Sequence, residues 1–160
     1  EQLASHLSRG TKMIQLRAKT TLDSAFVKQF YQNCQASNAK LILNTPQKTF
    51  NEGCDGWHLT TDELLSLIGR PCTNDKLLGA STHNINEAGH AEIIDVDYIS
   101  IAPVEPTKSH PNSTPLGWDR ASELVSRSNL PVYLLGGMSI QTLERSLSIG
   151  AQGVAGISEL

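Results

Sequence analysis

Two adjacent glycines give the first sign of a binding site in this chain. Gly136 and Gly137 follow an apolar run and come just before Ser139, where a helical pattern begins. Because glycine has no side chain, backbone N–H groups at such a turn can approach an anion closely, and a helix that starts nearby adds a favourable dipole. A tight turn without a ligand would use the same residues.

A second loop offers a partner for this pair and favours the anion site. Ile157 and Ser158 end another apolar run and provide further backbone amides and a hydroxyl. Phosphate sites in (β/α)₈ barrels commonly use the loops after the last two strands. We therefore predict a phosphate held between Gly136–Gly137 and Ile157–Ser158.

Two cations could serve the same anionic ligand. Arg17 and Lys19 stand two residues apart at the end of an apolar run, so both would point the same way from an extended strand end. Paired cations directed into one pocket would suit a diphosphate or a phosphate ester. The alternative is a pair of solvated charges.

Other polar side chains follow the remaining apolar runs. Asn44 and Ser81 each end such a run, and Thr107 lies in a long proline-rich loop with Lys108 and His110. Loops of this length in compact domains are usually lids or binding loops, so we expect Lys108 and His110 to reach a substrate phosphate. About half of any list of strand-end polar residues is ordinary solvated loop. The alternative for these residues is therefore that they are solvated and bind no ligand.

The apolar runs predict the elements that position these residues. Each is four to six residues long and most lack polar alternation, which is typical of strands buried on both faces. Helical patterns lie between several of them, at residues 22–37, 62–68 and 139–150. The predicted strands cover residues 12–17, 40–44, 56–59, 77–81, 98–101, 132–135 and 153–157.

Alternation of short strands and helices predicts parallel strands joined by crossover helices. Seven such strands without a sheet-reversal signal favour a (β/α)₈ barrel over an open doubly wound sheet. We expect one barrel domain over residues 1–160, with its first strand upstream of this numbering and its last helix missing.

Composition excludes several classes of function. The chain has 160 residues and a formal charge of −3, and its cations are scattered, so we do not expect a nucleic-acid partner. No apolar stretch approaches the roughly 20 residues of a membrane helix. The three cysteines show no metal-binding spacing, which favours free thiols in a reducing, cytoplasmic compartment.

Several motifs occur together in a familiar order and spacing. With them the chain resembles the thiamine phosphate synthase family along nearly its whole length. The motifs are Gln15–Lys19, Leu78–Asn84, Pro103–Thr107, Leu135–Gly137 and Gly150–Ala155.

The resemblance implies an enzyme that joins a pyrimidine diphosphate to a thiazole phosphate, with Mg²⁺ neutralising the leaving diphosphate. It implies Arg17 and Lys19 as diphosphate ligands, with Ser81 near the same group. The residues that it implies around the thiazole phosphate are Gly137, Ile157 and Ser158.

Departures from the family pattern weaken the expectation of synthase activity. Thr45 stands where the family has a magnesium-binding aspartate, and a threonine cannot supply an anionic oxygen. Glu63 is the doubtful candidate for a second magnesium position, and His110 aligns with a phosphate-binding lysine of the lid. The related TenI-like thiazole tautomerases use a histidine where this chain has Pro103, so that activity is not expected either.

A narrower resemblance concerns residues 109–111, 116–118 and 131–137. They are similar to the TenI-like domain that follows a Nudix hydrolase of the oxidised-dGTP type in some bacterial fusion proteins. This resemblance implies a Nudix domain upstream, whose hydrolysis the chain could not itself carry because it holds no Nudix motif.

Three hypotheses about function therefore stand. The first is a non-synthase barrel that binds a thiamine-related or nucleotide-like phosphorylated small molecule within such a fusion. The second is an active synthase with an altered magnesium site. The third is a purely structural barrel that dimerises its fused partner, with a homodimer as the expected assembly.

Overall fold

The computed structural model describes residues 2–46, 53–107 and 113–156. Within these ranges the strands lie where the apolar runs predict them, and four agree with the predicted bounds at both ends. The strands are β1 (Met13–Arg17), β2 (Lys40–Asn44), β3 (Gly56–Leu59), β4 (Leu77–Thr82), β5 (Tyr98–Ile101), β6 (Val132–Leu135) and β7 (Gly153–Ala155).

Helices follow most of these strands. The α-helices are α1 (Gln2–Ser8), α2 (Ser24–Ala36), α3 (Thr61–Ser66), α4 (Ile85–Ile94), α5 (Gly117–Arg127) and α6 (Leu143–Ser148), and a short 3₁₀ helix covers Ile140–Thr142. The side chain of Asp23 caps α2 by accepting a hydrogen bond from the Phe26 N–H. Sequence reasoning did not identify α4, although Asn84 caps it by accepting from two of its first N–H groups.

The described chain divides into two compact units. The first consists of Glu1–Leu59 with Pro71–Leu78. It contains β1, β2 and β3 as parallel neighbours, followed by the first two residues of β4. Its core is built from side chains that are almost fully excluded from solvent, namely Leu41, Ile42, Trp57 and Leu59.

The second unit consists of Thr60–Arg70 with Gly79–Leu160 and contains the rest of β4, then β5, β6 and β7 as parallel neighbours. A tyrosine pair fills its core near the amino ends of the strands. The Tyr98 ring occupies the space next to Gly79, where a Cβ would lie 2.1 Å from the ring, and it meets Tyr133 edge-on at 5.6 Å. Glycine at position 79 is therefore required by packing.

These observations confirm an α/β fold of parallel strands in sequence order with helical crossovers. Seven strands lie within the described ranges, against the eight of the expected barrel. The prediction of a single domain stays a prediction. No helix in the described ranges combines the length and the apolar character needed to cross a membrane.

Candidate phosphate site at the strand ends

Hydrogen bonds link consecutive strand ends in the second unit. The Thr61 hydroxyl, just after β3, donates to the carbonyl oxygen of Ser81 at 3.0 Å. His83, just after β4, places Nδ1 2.7 Å from the carbonyl oxygen of Ala102. Because a carbonyl can only accept, His83 carries its proton on Nδ1 in this contact. The histidine thus satisfies a backbone group, which is the commoner role of a lone histidine at a strand end.

The next two strand ends are joined through the backbone. The Val104 N–H donates to the carbonyl of Leu135, and the Glu105 N–H donates to that of Gly136, both at 3.0 Å. The proline-rich segment after β5 therefore lies along the glycine turn after β6. Together these contacts place Ser81, the segment ending at Thr107 and the glycine pair along one edge of the second unit.

Both glycines of this turn are required by the backbone and by packing. Gly136 and Gly137 have φ angles of +88° and +70°, which side-chain-bearing residues rarely adopt. A Cβ on Gly136 would lie 2.6 Å from the Cβ of Pro103, and one on Gly137 would lie 2.7 Å from that of Glu105. Gly137 is nevertheless exposed, so its backbone is accessible from solvent.

The helical part of the prediction needs correction. The residues after the glycine pair form the 3₁₀ helix first, with Ser139 as its cap, and α6 follows it. The Ser139 N–H donates to the Thr142 hydroxyl at 3.0 Å, so that amide is already used within the turn. The glycine backbone, rather than a helix terminus, therefore carries the candidate anion site.

The other predicted ligands lie in the first unit or outside the described residues. Arg17 pairs with Asn44 in the register of β1 and β2, and both Arg17 and Lys19 are exposed. Asn44 is buried, and its side-chain amide donates to the carbonyl of His58 at 2.9 Å, which ties β2 to β3. The predicted ligands His110, Ile157 and Ser158 lie outside the described residues, as does Lys108.

The predicted magnesium ligand Glu63 has a different task in the structure. Its Oε2 accepts hydrogen bonds from the Thr60 N–H at 2.7 Å and from the Thr60 hydroxyl at 2.8 Å. The Thr60 hydroxyl in turn accepts from the Glu63 N–H, which completes a capping box at the start of α3. Thr45 offers only a neutral hydroxyl at its buried position.

Magnesium in phosphate-handling sites is usually held by one or two carboxylates together with substrate phosphates and water. The described ranges contain no group of three or more His, Cys, Asp or Glu side chains arranged to hold a metal ion. Thr45 supplies no carboxylate for the magnesium ion that the family resemblance implies, and Glu63 as a second magnesium ligand stays a prediction.

Sequence reasoning missed two features of this edge. The Thr60–Glu63 spacing is the T-x-x-E signature of a capping box and could have been recognised. The second feature had no local signal. The Trp118 Nε1–H donates to Glu105 Oε1 at 2.7 Å, and the Arg145 guanidinium lies 4.2 Å from the centre of the Trp118 ring.

Comparison with known proteins agrees with this fold and these motifs. A family model described as thiamine monophosphate synthase matches residues 1–160. A thiamine-phosphate synthase from Chlorobium phaeobacteroides is 32% identical over 96% of this chain and 78% of its own length. One from Prochlorococcus marinus is 29% identical over 96% of this chain, which spans only 46% of that protein.

A solved structure supports the fold across both units. The thiamine phosphate pyrophosphorylase from Pyrococcus furiosus superposes with a TM-score of 0.74 at 20% identity, and the match covers 97% of this chain and 76% of that one. The family match over the full sequence is the decisive finding. The chain belongs to the thiamine monophosphate synthase family.

Proposed function

We propose that the chain binds a phosphorylated small molecule on the Gly136–Gly137 turn and has little synthase activity of its own. The observation that carries the proposal is the turn itself. Two consecutive glycines with positive φ are held against the Pro103–Pro106 segment, and Gly137 stays exposed. Its backbone can therefore meet an anion without a side chain in the way. The ligand is a thiamine-related or nucleotide-like phosphate ester.

Loss of charge at the synthase positions argues against efficient synthesis. A departing diphosphate gathers negative charge, which enzymes offset with a metal ion and preorganised cations. Thr45 replaces the family's metal-binding carboxylate, and His110, which is mostly neutral at pH 7, replaces a fixed cation. Glu63 is engaged in its capping box. Loss of one such stabiliser commonly costs roughly 10²–10³ in rate.

An active synthase is the second candidate, and the names of the relatives favour it. The similar proteins from Chlorobium and Prochlorococcus are both described as thiamine-phosphate synthases. Arg17 and Lys19 are present and exposed, as diphosphate ligands would need to be.

A third element of the proposal concerns the whole protein. We propose that the chain completes an eight-stranded barrel with an upstream strand and follows a Nudix domain. The support is the sequence similarity of residues 109–111, 116–118 and 131–137 to TenI-like domains of such fusions. Reading the upstream coding sequence for a first strand and a Nudix motif tests both parts, and an upstream region with neither would refute them.

One assay separates the two candidate functions. The full-length protein is supplied with the pyrimidine diphosphate, the thiazole phosphate and Mg²⁺, and release of diphosphate is followed. We expect turnover roughly 10²–10³ below that of an ordinary family member, with a rise in the double variant Thr45→Asp/His110→Lys. Turnover comparable to an ordinary synthase would make the second candidate the function. Calorimetry with thiamine phosphate measures binding independently of turnover.

A further inference from the structure

A carboxylate lies beside the proposed phosphate turn. The Cβ of Glu105 is 2.7 Å from the position that a Cβ on Gly137 would occupy, so the Glu105 side chain starts directly next to this glycine. A Glu105 carboxylate directed toward this glycine would repel a phosphate bound at the turn. The structure therefore has to control the direction of the Glu105 carboxylate if the turn binds an anion.

Trp118 provides this control. Its Nε1–H donates to Glu105 Oε1 at 2.7 Å, and this hydrogen bond directs the carboxyl group of Glu105 toward α5. Trp118 is half-buried in the first turn of α5. The carboxylate is thus anchored on α5, while the Glu105 N–H remains bonded to the Gly136 carbonyl.

Arg145 completes the arrangement from α6. Its guanidinium lies 4.2 Å from the centre of the Trp118 ring, a cation–π contact that fixes the indole and brings a positive charge to the same region. The three side chains come from three different segments: the strand-end segment after β5, helix α5 and helix α6. All three segments belong to the second unit.

We infer that Trp118 is a positioning residue for the phosphate site, which holds the Glu105 carboxylate on α5 and so keeps its charge from the glycine turn. The inference rests on the proposed phosphate binding at Gly136–Gly137. It adds to that proposal the residue that keeps the negative charge of Glu105 away from the bound phosphate. Loss of the indole N–H releases the carboxylate, which then competes with the ligand phosphate.

The test uses the full chain and thiamine phosphate as the probe, with affinity measured by calorimetry at low ionic strength. Trp118→Phe keeps an aromatic ring for Arg145 but removes the N–H donor. We expect it to weaken binding about tenfold, the size of a close charge repulsion near a protein surface. Thermal unfolding of each variant shows that it is folded.

Charge removal distinguishes this role from a merely structural one. In the double variant Trp118→Phe/Glu105→Gln the released side chain is neutral, so affinity should return to near that of the wild type. Glu105→Gln alone should bind at least as tightly as the wild type, because its amide oxygen still accepts from Trp118. Glu123→Gln removes a charge from the exposed face of α5 and should not rescue Trp118→Phe.

The possible outcomes distinguish failure of this inference from failure of the proposed phosphate binding at Gly136–Gly137. A wild-type chain that does not bind thiamine phosphate would overturn both. Tight wild-type binding that Trp118→Phe leaves unchanged would overturn the inference alone. The inference alone would also be overturned if Trp118→Phe weakens binding and the double variant Trp118→Phe/Glu105→Gln does not restore it. The lost affinity would then come from a disturbed loop and not from charge.

Discussion

The amino and carboxyl ends of the strands use their polar groups differently. At the amino ends of the first unit, Asp55 Oδ2 accepts from the Leu41 N–H at 2.8 Å, and the Lys76 ammonium donates to the Cys54 carbonyl at 2.9 Å. At the amino end of β5 in the second unit, the mostly buried Arg70 pairs with Asp97 at 2.8 Å. These groups connect neighbouring segments of the fold.

At the carboxyl ends, exposed groups remain beside the hydrogen bonds that join the strand ends. Gly137 is exposed in the second unit, and Arg17 and Lys19 are exposed in the first. We therefore expect that the amino ends stabilise each unit and that the carboxyl ends bind the ligand, as in barrel enzymes generally. Variants at the two ends should therefore affect different measurements.

The largest expected effect is a loss of unfolding free energy caused by a substitution at the amino end of β3. Asp55→Ala leaves the partly buried Leu41 N–H without its charged acceptor and removes the partner of the Tyr31 hydroxyl. Loss of a hydrogen bond to a charged group costs about 1.5–3 kcal/mol of unfolding free energy, to be measured by urea unfolding. Affinity of the folded protein for thiamine phosphate should not change. Asp75→Ala, at an exposed position, is the control, and equal stability of the two variants would contradict the assignment.

The next effect lies at a carboxyl end and concerns binding. Gly137→Leu imposes a side chain on a φ of +70° and pushes against Glu105 and Pro106. The strain is on the order of 1–3 kcal/mol, and the added side chain blocks backbone approach, so affinity for thiamine phosphate should fall at least about tenfold. Gly69→Leu is the matched control because nothing lies near its Cβ position. Calorimetry that shows unchanged affinity for Gly137→Leu would exclude the turn as the site.

The sequence predicted the elements better than the contacts among their ends. Runs such as Lys40–Asn44 and Tyr98–Ile101 are recognisable because a strand buried on both faces is apolar throughout and bounded by polar residues or glycine. The glycine pair was recognisable because few other residues tolerate such a turn. Its strand-end position follows from the same pattern.

Contacts between segments could not be predicted from the sequence. The Glu105–Trp118 bond joins residues 13 positions apart, a separation at which neither helix nor strand periodicity predicts a contact. The period-two argument for Arg17 and Lys19 requires extended backbone, whereas β1 ends at Arg17. Glu63 as a metal ligand, which rests on family alignment, stays a prediction, whereas its local T-x-x-E spacing indicates the cap that the structure shows.

A smaller effect tests that interpretation of Glu63. Thr60→Val removes the hydroxyl that caps α3 and should lower the unfolding free energy by about 1 kcal/mol. Glu63→Gln keeps an accepting oxygen at the third position of the capping box and removes only the charge, so stability should change less than in Thr60→Val. Urea unfolding with and without Mg²⁺ gives the comparison. A magnesium-dependent stabilisation that disappears in Glu63→Gln would show that Glu63 is a metal ligand after all.

The smallest effect is a pH dependence that arises at the amino ends. Burial, followed by the negative charge of Asp55, raises the pKa of the Cys34 thiol. A group with a raised pKa in the folded state contributes its full stability below the unfolded pKa, about 8.5 for cysteine, and loses it as the pH rises through the folded pKa.

The loss of unfolding free energy from one thiol is at most about 0.8 kcal/mol at pH 9. Cys34→Ala should therefore flatten the fall of the urea midpoint between pH 7 and pH 9. Asp55→Asn should flatten it partly, because the neutral amide lowers the pKa of Cys34 in the folded state. The same slope in all three proteins would mean that the Cys34 thiol does not couple to folding, and alkaline sensitivity would then come from other groups whose pKa is raised by burial, such as Cys54 and Tyr31.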